Sequence, residues 1–293
     1  MNGGKTALFG KETGMYNATP AMAGWFGYPL GLNDRLRLIR EAGFTGVLLW
    51  WAVESAYEPP VPQKMETAAR YGLTVENAHL QFAHMNTLWL DGYEGEHCLA
   101  ELIGLVAEAG RYGVPTLVVH LTRTTTPPPF SEVGFSRFLR LCDAAERANV
   151  RLAFENLRAV DRLYDFMAKV DAPHVGVCFD AGHNHCFSPD RRVCRDFADR
   201  IFAVHLHDND GTRDAHNIPG DGTIDWAQVR RELLGSAYTG AWSLEIEHAQ
   251  TAEFGKSLLK KEDDPYFGMG PEEYLAKAFD AHRHIVLGSK PGR

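Results

Sequence analysis

Short β-rich apolar runs alternate with amphipathic stretches about eight times along the 293 residues, and this alternation narrows the fold more than any other property of the chain. Strand followed by helix, repeated, is the pattern of a parallel α/β architecture rather than a sandwich. The apolar runs predict strands over 5–9, 44–51, 74–81, 115–121, 150–156, 174–180, 201–207 and 241–246. Helical patterns cover 61–72, 131–149, 159–170, 191–199, 225–235 and 271–286, with two more in NDRLRLIREAG and EHCLAELIGLVAEAGRYG. In NDRLRLIREAG, Asn33 is placed to cap the helix and Gly43 to stop it. Eight strands and eight helices fit a single (β/α)8 TIM barrel over 1–293, a length suited to one such barrel.

In a barrel of this kind the chemistry sits at the carboxyl ends of the strands. Glu155, Asp180, His207 and Glu245 each end an apolar run, in RLAFE, VGVCFD, FAVHLH and AWSLE. They are separated by 25, 27 and 38 residues, close to the length that a strand, a helix and two short loops consume. Four such side chains are therefore expected to meet in space as metal ligands. Taken singly, each carboxylate could equally cap the next helix or pair with an arginine. Carboxylates favour hard divalent cations such as Mg(2+), while imidazole widens the choice to manganese, cobalt, iron or zinc. Two glutamates reaching a substrate from different strands can take a proton from one carbon and return it elsewhere through a metal-stabilised enediolate, so isomerisation or epimerisation is the expected chemistry.

Other polar residues reach the same level. His183 follows Asp180 by three in DAGH and is expected to bind substrate or a second cation, or to serve as a loop hydrogen-bonding residue. His79 and His120 end the third and fourth strands and either contact sugar hydroxyls or close the barrel's hydrogen bonds. HLHDNDGTRDAHNIPGDG adds Asp208, Asp210, Asp214 and His216, with Asp214 and His216 read as a possible additional metal pair or a loop clasp. Strand alternation turns His205 to the same side as His207, one layer deeper. Trp25, Phe26, Trp50 and Trp51 offer an apolar wall or plain core, and Arg123, Arg213 and Lys256 lie in mouth loops where they could hold a phosphate or carboxylate.

Composition limits the partners. A formal charge of −8 and a pI near 5.9 argue against nucleic acid, whose phosphates call for a basic stripe, and favour a small-molecule substrate. Five cysteines without CxxC spacing read as free thiols in a reducing compartment. No basic segment followed by an apolar core opens the sequence, and no apolar run approaches the roughly 20 residues of a bilayer span. A cytoplasmic protein without membrane contact is expected.

At these residues the chain resembles the xylose isomerase-like TIM-barrel superfamily, specifically its sugar phosphate isomerase/epimerase group. The resemblance runs from FGYPLGLNDRLRLIREAGFTGVLLW through AFEN, CFDAGH and VHLHDNDGTRDAHNIPGDGTIDW to SLEIE. It implies one divalent metal, often manganese, on Glu155, Asp180, His207 and Glu245. It further implies the two glutamates as the acid/base pair, His183 against a sugar, sugar phosphate or polyol substrate, and a dimer or tetramer of the kind common in the family. The same superfamily includes the endonuclease IV type of AP endonuclease with three zinc ions. By that resemblance His79, His120, Glu155, Asp180, His183, His207, Asp214, His216 and Glu245 would each supply a ligand. CFDAGH and LHDND depart from that nuclease's usual wording. Inosose or dehydroshikimate dehydratases on the same scaffold form a third alternative.

Overall fold

In a computed structural model, which describes residues 18–52, 59–248 and 264–288, eight parallel strands close on themselves in chain order. They are β1 (Pro20–Ala23), β2 (Gly46–Trp51), β3 (Thr74–Leu80), β4 (Thr116–Val119), β5 (Arg151–Glu155), β6 (Val175–Asp180), β7 (Ile201–Leu206) and β8 (Trp242–Leu244). β1 pairs with β8 through Pro20 and Trp242, which shuts the barrel. The expected strand at 5–9 falls outside the described residues, and β1 begins the barrel later in the chain. No helix among the described residues is long and apolar enough to cross a membrane.

The helices α1 (Leu32–Ala42), α2 (Val61–Arg70), α3 (Tyr93–Tyr112), α4 (Glu132–Ala148) and α5 (Val160–Met167) follow the first five strands, with a 3-10 turn at Met85–Trp89 before α3. After β6 come two short helices, α6 (Ala181–Phe187) and α7 (Val193–Asp196), and the order ends with α8 (Trp226–Leu234) and α9 (Pro271–Leu287). Gly43 ends α1 at φ +112°, the left-handed conformation that glycine adopts without a Cβ clash. Asn33 does not cap: α1 begins at Leu32, and the Asn33 amide oxygen instead accepts from Arg70 and Tyr71 at 3.0 Å each, tying α1 to the end of α2.

Strand side chains alternate between the helix layer and the barrel interior. On β5, Phe154 faces outward, its ring 4.6 Å from Phe166 and 6.0 Å from Phe138 on the covering helices. Ala153 and Glu155 face inward. Register extends this pattern to the neighbours, since Phe154 pairs with Val177, Cys178 with Ala203, and Asp180 with His205. A layer of small apolar side chains, Val118, Ala153, Cys178 and Ala203, therefore plugs the interior with no solvent exposure. Two residues farther along the same four strands stand His120, Glu155, Asp180 and His205.

Candidate metal and substrate site

Glu155 is the hub of the mouth. Its Oε2 accepts from His120 Nε2 at 2.7 Å and lies 3.4 Å from His79 Nε2, while its Oε1 is 3.2 Å from His205 Nδ1 and 3.4 Å from His183 Nδ1. Burial pulls this carboxyl upward, but the surrounding imidazoles of His120, His183, His205 and His79 outweigh it and hold the group well below the usual carboxylate range. Glu245, just past β8, places Oε2 3.0 Å from His205 Nδ1. Burial opposes its ionisation too, yet the charge of His205 brings it down to about 2. His120 moves the other way: burial lowers it despite the bond to Glu155.

Asp180 does two jobs. Its Oδ1 accepts from the His183 backbone N–H at 2.6 Å, capping α6, and lies 3.1 Å from His207 Nε2. Its Oδ2 has no hydrogen-bond partner. The helical start at Ala181 turns DAGH so that His183 swings back over the mouth, 3.4 Å from Glu155 and 3.2 Å from Asp214. Burial opposes protonation of His183, and the surrounding Asp180, Asp214 and Glu155 raise it well above the ordinary imidazole value.

The connection after β7 supplies the outer wall. Asp208 is fully buried and accepts from the N–H groups of Asn209, Gly220 and Ile224 and from Trp226 Nε1, so this carboxylate is the clasp of the loop rather than part of the mouth. The clasp presents Asp214 and His216 inward, 3.3 Å apart. His216 sits at φ +47° and donates from Nδ1 to the Glu245 carbonyl at 2.7 Å, leaving Nε2 toward the site. His79 does the same through Nδ1 and the Leu80 carbonyl at 2.8 Å. Both arrangements fix the ring orientation and turn Nε2 toward a carboxylate of the site, Glu155 for His79 and Asp214 for His216.

The expected foursome is rearranged. The histidine brought within 4.8 Å of Glu155, Asp180 and Glu245 is His205, not His207. β7 ends at Leu206, so His207 lies beyond the strand, where its ring stacks on His216 at 3.9 Å and it groups with His183, Asp214 and His216. His205 pairs with Asp180 across β6 and β7, and His207 Nε2 keeps within 3.1 Å of Asp180 Oδ1. A third group joins His79 and His120 to Glu155.

Whether a cation suits these residues can be judged from their unmet bonding. Asp180 Oδ2, His205 Nε2, His183 Nδ1, Asp214 Oδ1 and both His207 ring nitrogens are buried without a hydrogen-bond partner. Each such atom costs about 1–3 kcal/mol if left unpaired, and all six are metal-ligand types. The donor set fits divalent ions, with carboxylates dominant in the group of Glu155, Asp180, His205 and Glu245 and imidazoles in the group around Asp214.

Over the hub opens a cavity of about 400 Å³ bordered by Glu155, Glu245, His183 and His216. Its rim carries Phe82, stacked on His120 at 4.3 Å, and two arginines, Arg123 and Arg158. Arg158 drew no notice in the sequence. Trp50 stacks on His79 at 5.3 Å and Trp25 stands edge-on to both, whereas Phe26 and Trp51 are core. Arg213 is exposed and does not border the cavity; Lys256 lies outside the described residues.

A profile for the xylose isomerase-like TIM barrel matches residues 36–267. The chain belongs to that family. Protein y4fM of Sinorhizobium fredii is 26% identical over 249 residues, covering 72% of this chain and 79% of its own. D-psicose 3-epimerase from Clostridium cellulolyticum H10, solved with D-tagatose, superposes with a TM-score of 0.72 at 15% identity, over 92% of this chain and 99% of the epimerase. A xylose isomerase-like TIM barrel/4-hydroxyphenylpyruvate dioxygenase fusion protein gives a TM-score of 0.70 at 18% identity over 92% of this chain. The chain spans 42% of that fusion's length. At these identities the structural likeness is one of fold.

Proposed function

We propose that this protein is a divalent-metal-dependent isomerase or epimerase of a sugar, a sugar phosphate or a closely related polyol. One observation carries the reading: Glu155 and Glu245, from β5 and the end of β8, border the same cavity, and their surroundings keep both ionised. Ionised glutamates on two sides of a bound sugar can take a proton from the carbon beside its carbonyl and deliver one to the other face or the adjacent carbon. The similarity in fold to an epimerase that acts on D-psicose supports this choice of substrate.

Glu155, Asp180, His205 and Glu245 would hold the principal cation, manganese by preference. Bound there, it supplies stabilisation for negative charge developing on substrate oxygens. Glu245 is the better placed to exchange protons, since among the described residues its close contact is with His205, whereas Glu155 is surrounded by four imidazoles. His183, His79 and His120 would direct hydrogen bonds to substrate hydroxyls, with Trp25 and Trp50 backing His79 from the apolar side.

A second reading, a multi-zinc phosphodiesterase of the AP endonuclease type, is favoured by the grouping itself. His79 with His120, and His183 with His207, Asp214 and His216, flank the principal set on either side and share or adjoin Glu155. The net charge of −8 weighs against a DNA substrate.

Elemental analysis of protein purified without chelator, followed by ketose conversion and abasic-DNA cleavage assays, separates the two. About one manganese, cobalt or iron per chain with ketose turnover supports the isomerase. Three zinc ions with strand cleavage replaces it by the nuclease, and protein that takes up no metal on reconstitution rejects both.

A further inference from the structure

We propose that Cys178, with Glu155 and His205, forms a second cation site beneath the first, one that takes a thiophilic ion such as zinc or cadmium and displaces the principal cation when filled. The displacement rests on the principal set named above; the site itself does not. Of the five thiols, Cys178 alone lies on a barrel strand, while Cys98, Cys142, Cys186 and Cys194 lie on helices.

Register brings the thiol to the carboxylate. Cys178 pairs with Glu155 across β5 and β6, so both side chains leave neighbouring strands on the inward side. On β7 the partner of Cys178 is Ala203, whose small side chain leaves the space beneath His205 open to sulfur. A carboxylate oxygen of Glu155, the Cys178 Sγ and a ring nitrogen of His205 all lie within 4.8 Å of one another. Around tetrahedral zinc, ligand atoms stand roughly 3.5 Å apart, so a shift of about an ångström shared among three side chains closes them on one ion.

The bonding at His205 points to the same place. Its Nδ1 is already flanked by Glu155 Oε1 at 3.2 Å and Glu245 Oε2 at 3.0 Å. Its Nε2 is buried and has no hydrogen-bond partner. Cys178 stands within interacting distance of the same ring, and both residues are without solvent exposure. A thiol is a weak donor and a weak acceptor, so it satisfies a buried imidazole poorly, whereas a cation held between the two satisfies both.

Charge and softness choose the ion. One thiolate and one carboxylate cancel the charge of a divalent cation while the imidazole stays neutral; on binding, the thiol proton leaves to solvent and a sulfur–metal bond forms. Manganese and magnesium prefer oxygen ligands, as in the carboxylate-rich set of Glu155, Asp180, His205 and Glu245, whereas thiolate selects softer ions. Glu155 and His205 belong to both sets. A soft cation entering through the cavity above Glu155 therefore removes two ligands from the principal one.

The test is titration of metal-free full-length protein with cadmium chloride, read by the ultraviolet charge-transfer absorption of a thiolate–cadmium bond. Wild type should gain this band as about one cadmium binds per chain. Cys178→Ala, in a floor where Ala153 and Ala203 already stand, should keep its circular dichroism, lose the band and bind cadmium at least about tenfold more weakly. Cys186→Ser should keep the band. The cadmium-113 resonance of the Cys186→Ser protein reports sulfur ligation independently if Cys178→Ala does not fold. Protein loaded first with manganese should release it as cadmium is added, seen as the paramagnetic resonance of the free ion.

A band missing from wild type, or surviving in Cys178→Ala, overturns the proposal. Manganese that stays bound while the Cys178 band grows also overturns it, because the two ions would then not share ligands. Manganese-dependent ketose turnover without a cadmium band sinks this site and spares the isomerase reading. A Cys178-dependent band in protein that takes up no manganese upholds the thiolate site and removes manganese from the function proposed above.

Discussion

Two layers of side chains, two residues apart on the same four strands, share nearly complete burial and nothing else. Val118, Ala153, Cys178 and Ala203 form the lower one, and His120, Glu155, Asp180 and His205 the upper. The lower layer is small and apolar and needs no bonding partners. The upper layer holds two acids and two imidazoles, and Asp180 and His205 each keep a buried atom without a partner. Small side chains below give the imidazoles and carboxylates above room to converge. Burial therefore does not separate packing from chemistry in this barrel; what separates them is whether each buried polar atom has found its partner within the protein.

His282 on α9 sharpens the contrast. It is as buried as most of the mouth histidines, but its Nε2 donates to the Trp242 carbonyl at 3.0 Å, and this neutral acceptor is what opposes the effect of burial. Burial drives its imidazole down to about 4. His216, half-buried beside Asp214, goes up to about 10, because the nearby carboxylate outweighs the desolvation that opposes it. The same side chain titrates in opposite directions according to its neighbours.

The strongest way to break the comparison is Glu155→Gln. Loss of the hub carboxylate should lower turnover by roughly 10²–10⁴ and reduce bound metal per chain, with the circular dichroism of the fold retained. A variant that kept its metal and full turnover would remove Glu155 from the machinery. Acid denaturation tests the histidine contrast. The His282 pKa is depressed in the folded state, so the stability it secures is complete above its ordinary 6.5 and is lost as pH falls toward about 4. His282→Gln should flatten that stretch of the stability curve by about 3 kcal/mol at its foot, measured by urea unfolding across pH 4–7. An unchanged slope would mean that the folded state accepts the proton.

Gly182→Ala probes how tightly the upper layer is packed. A Cβ there would lie 1.9 Å from the His207 ring, so the substitution should cost about 1–3 kcal/mol of stability by thermal or urea unfolding. A neutral result would show that His207 can swing aside. The smallest effect belongs to the floor: Val118→Ala should cost about 1–2 kcal/mol and leave turnover within about twofold. A large loss of turnover there would mean that the floor sets the geometry above it.

The barrel was legible because its signal is repeated and local. Apolar runs from 44–51 onward coincide with β2 to β8 to within a few residues, and Gly43 stops α1 where the pattern placed it. Glu155, Asp180 and Glu245 were legible as strand-end carboxylates, and the structure brings them together. The choice of histidine was not. His205 pairs with Asp180 in register and meets Glu155 and Glu245, while His207 Nε2 lies 3.1 Å from Asp180 Oδ1, and only the tertiary fold distributes the two histidines in this way. Arg158 was silent for a similar reason, since a basic residue two past a strand looks like any solvated one until the cavity is closed around it.

Sequence alone determined the alternation of strand and helix, the hydrophobic layers it buries, and the acidic ends of three strands, because these follow from residue type and a period of two or 3.6. Tertiary structure decided the register, the clasp around Asp208 that delivers Asp214 and His216, and the meeting of Cys178 with Glu155 and His205. Those depend on contacts between residues distant in the chain, and no local pattern encodes the distance between them.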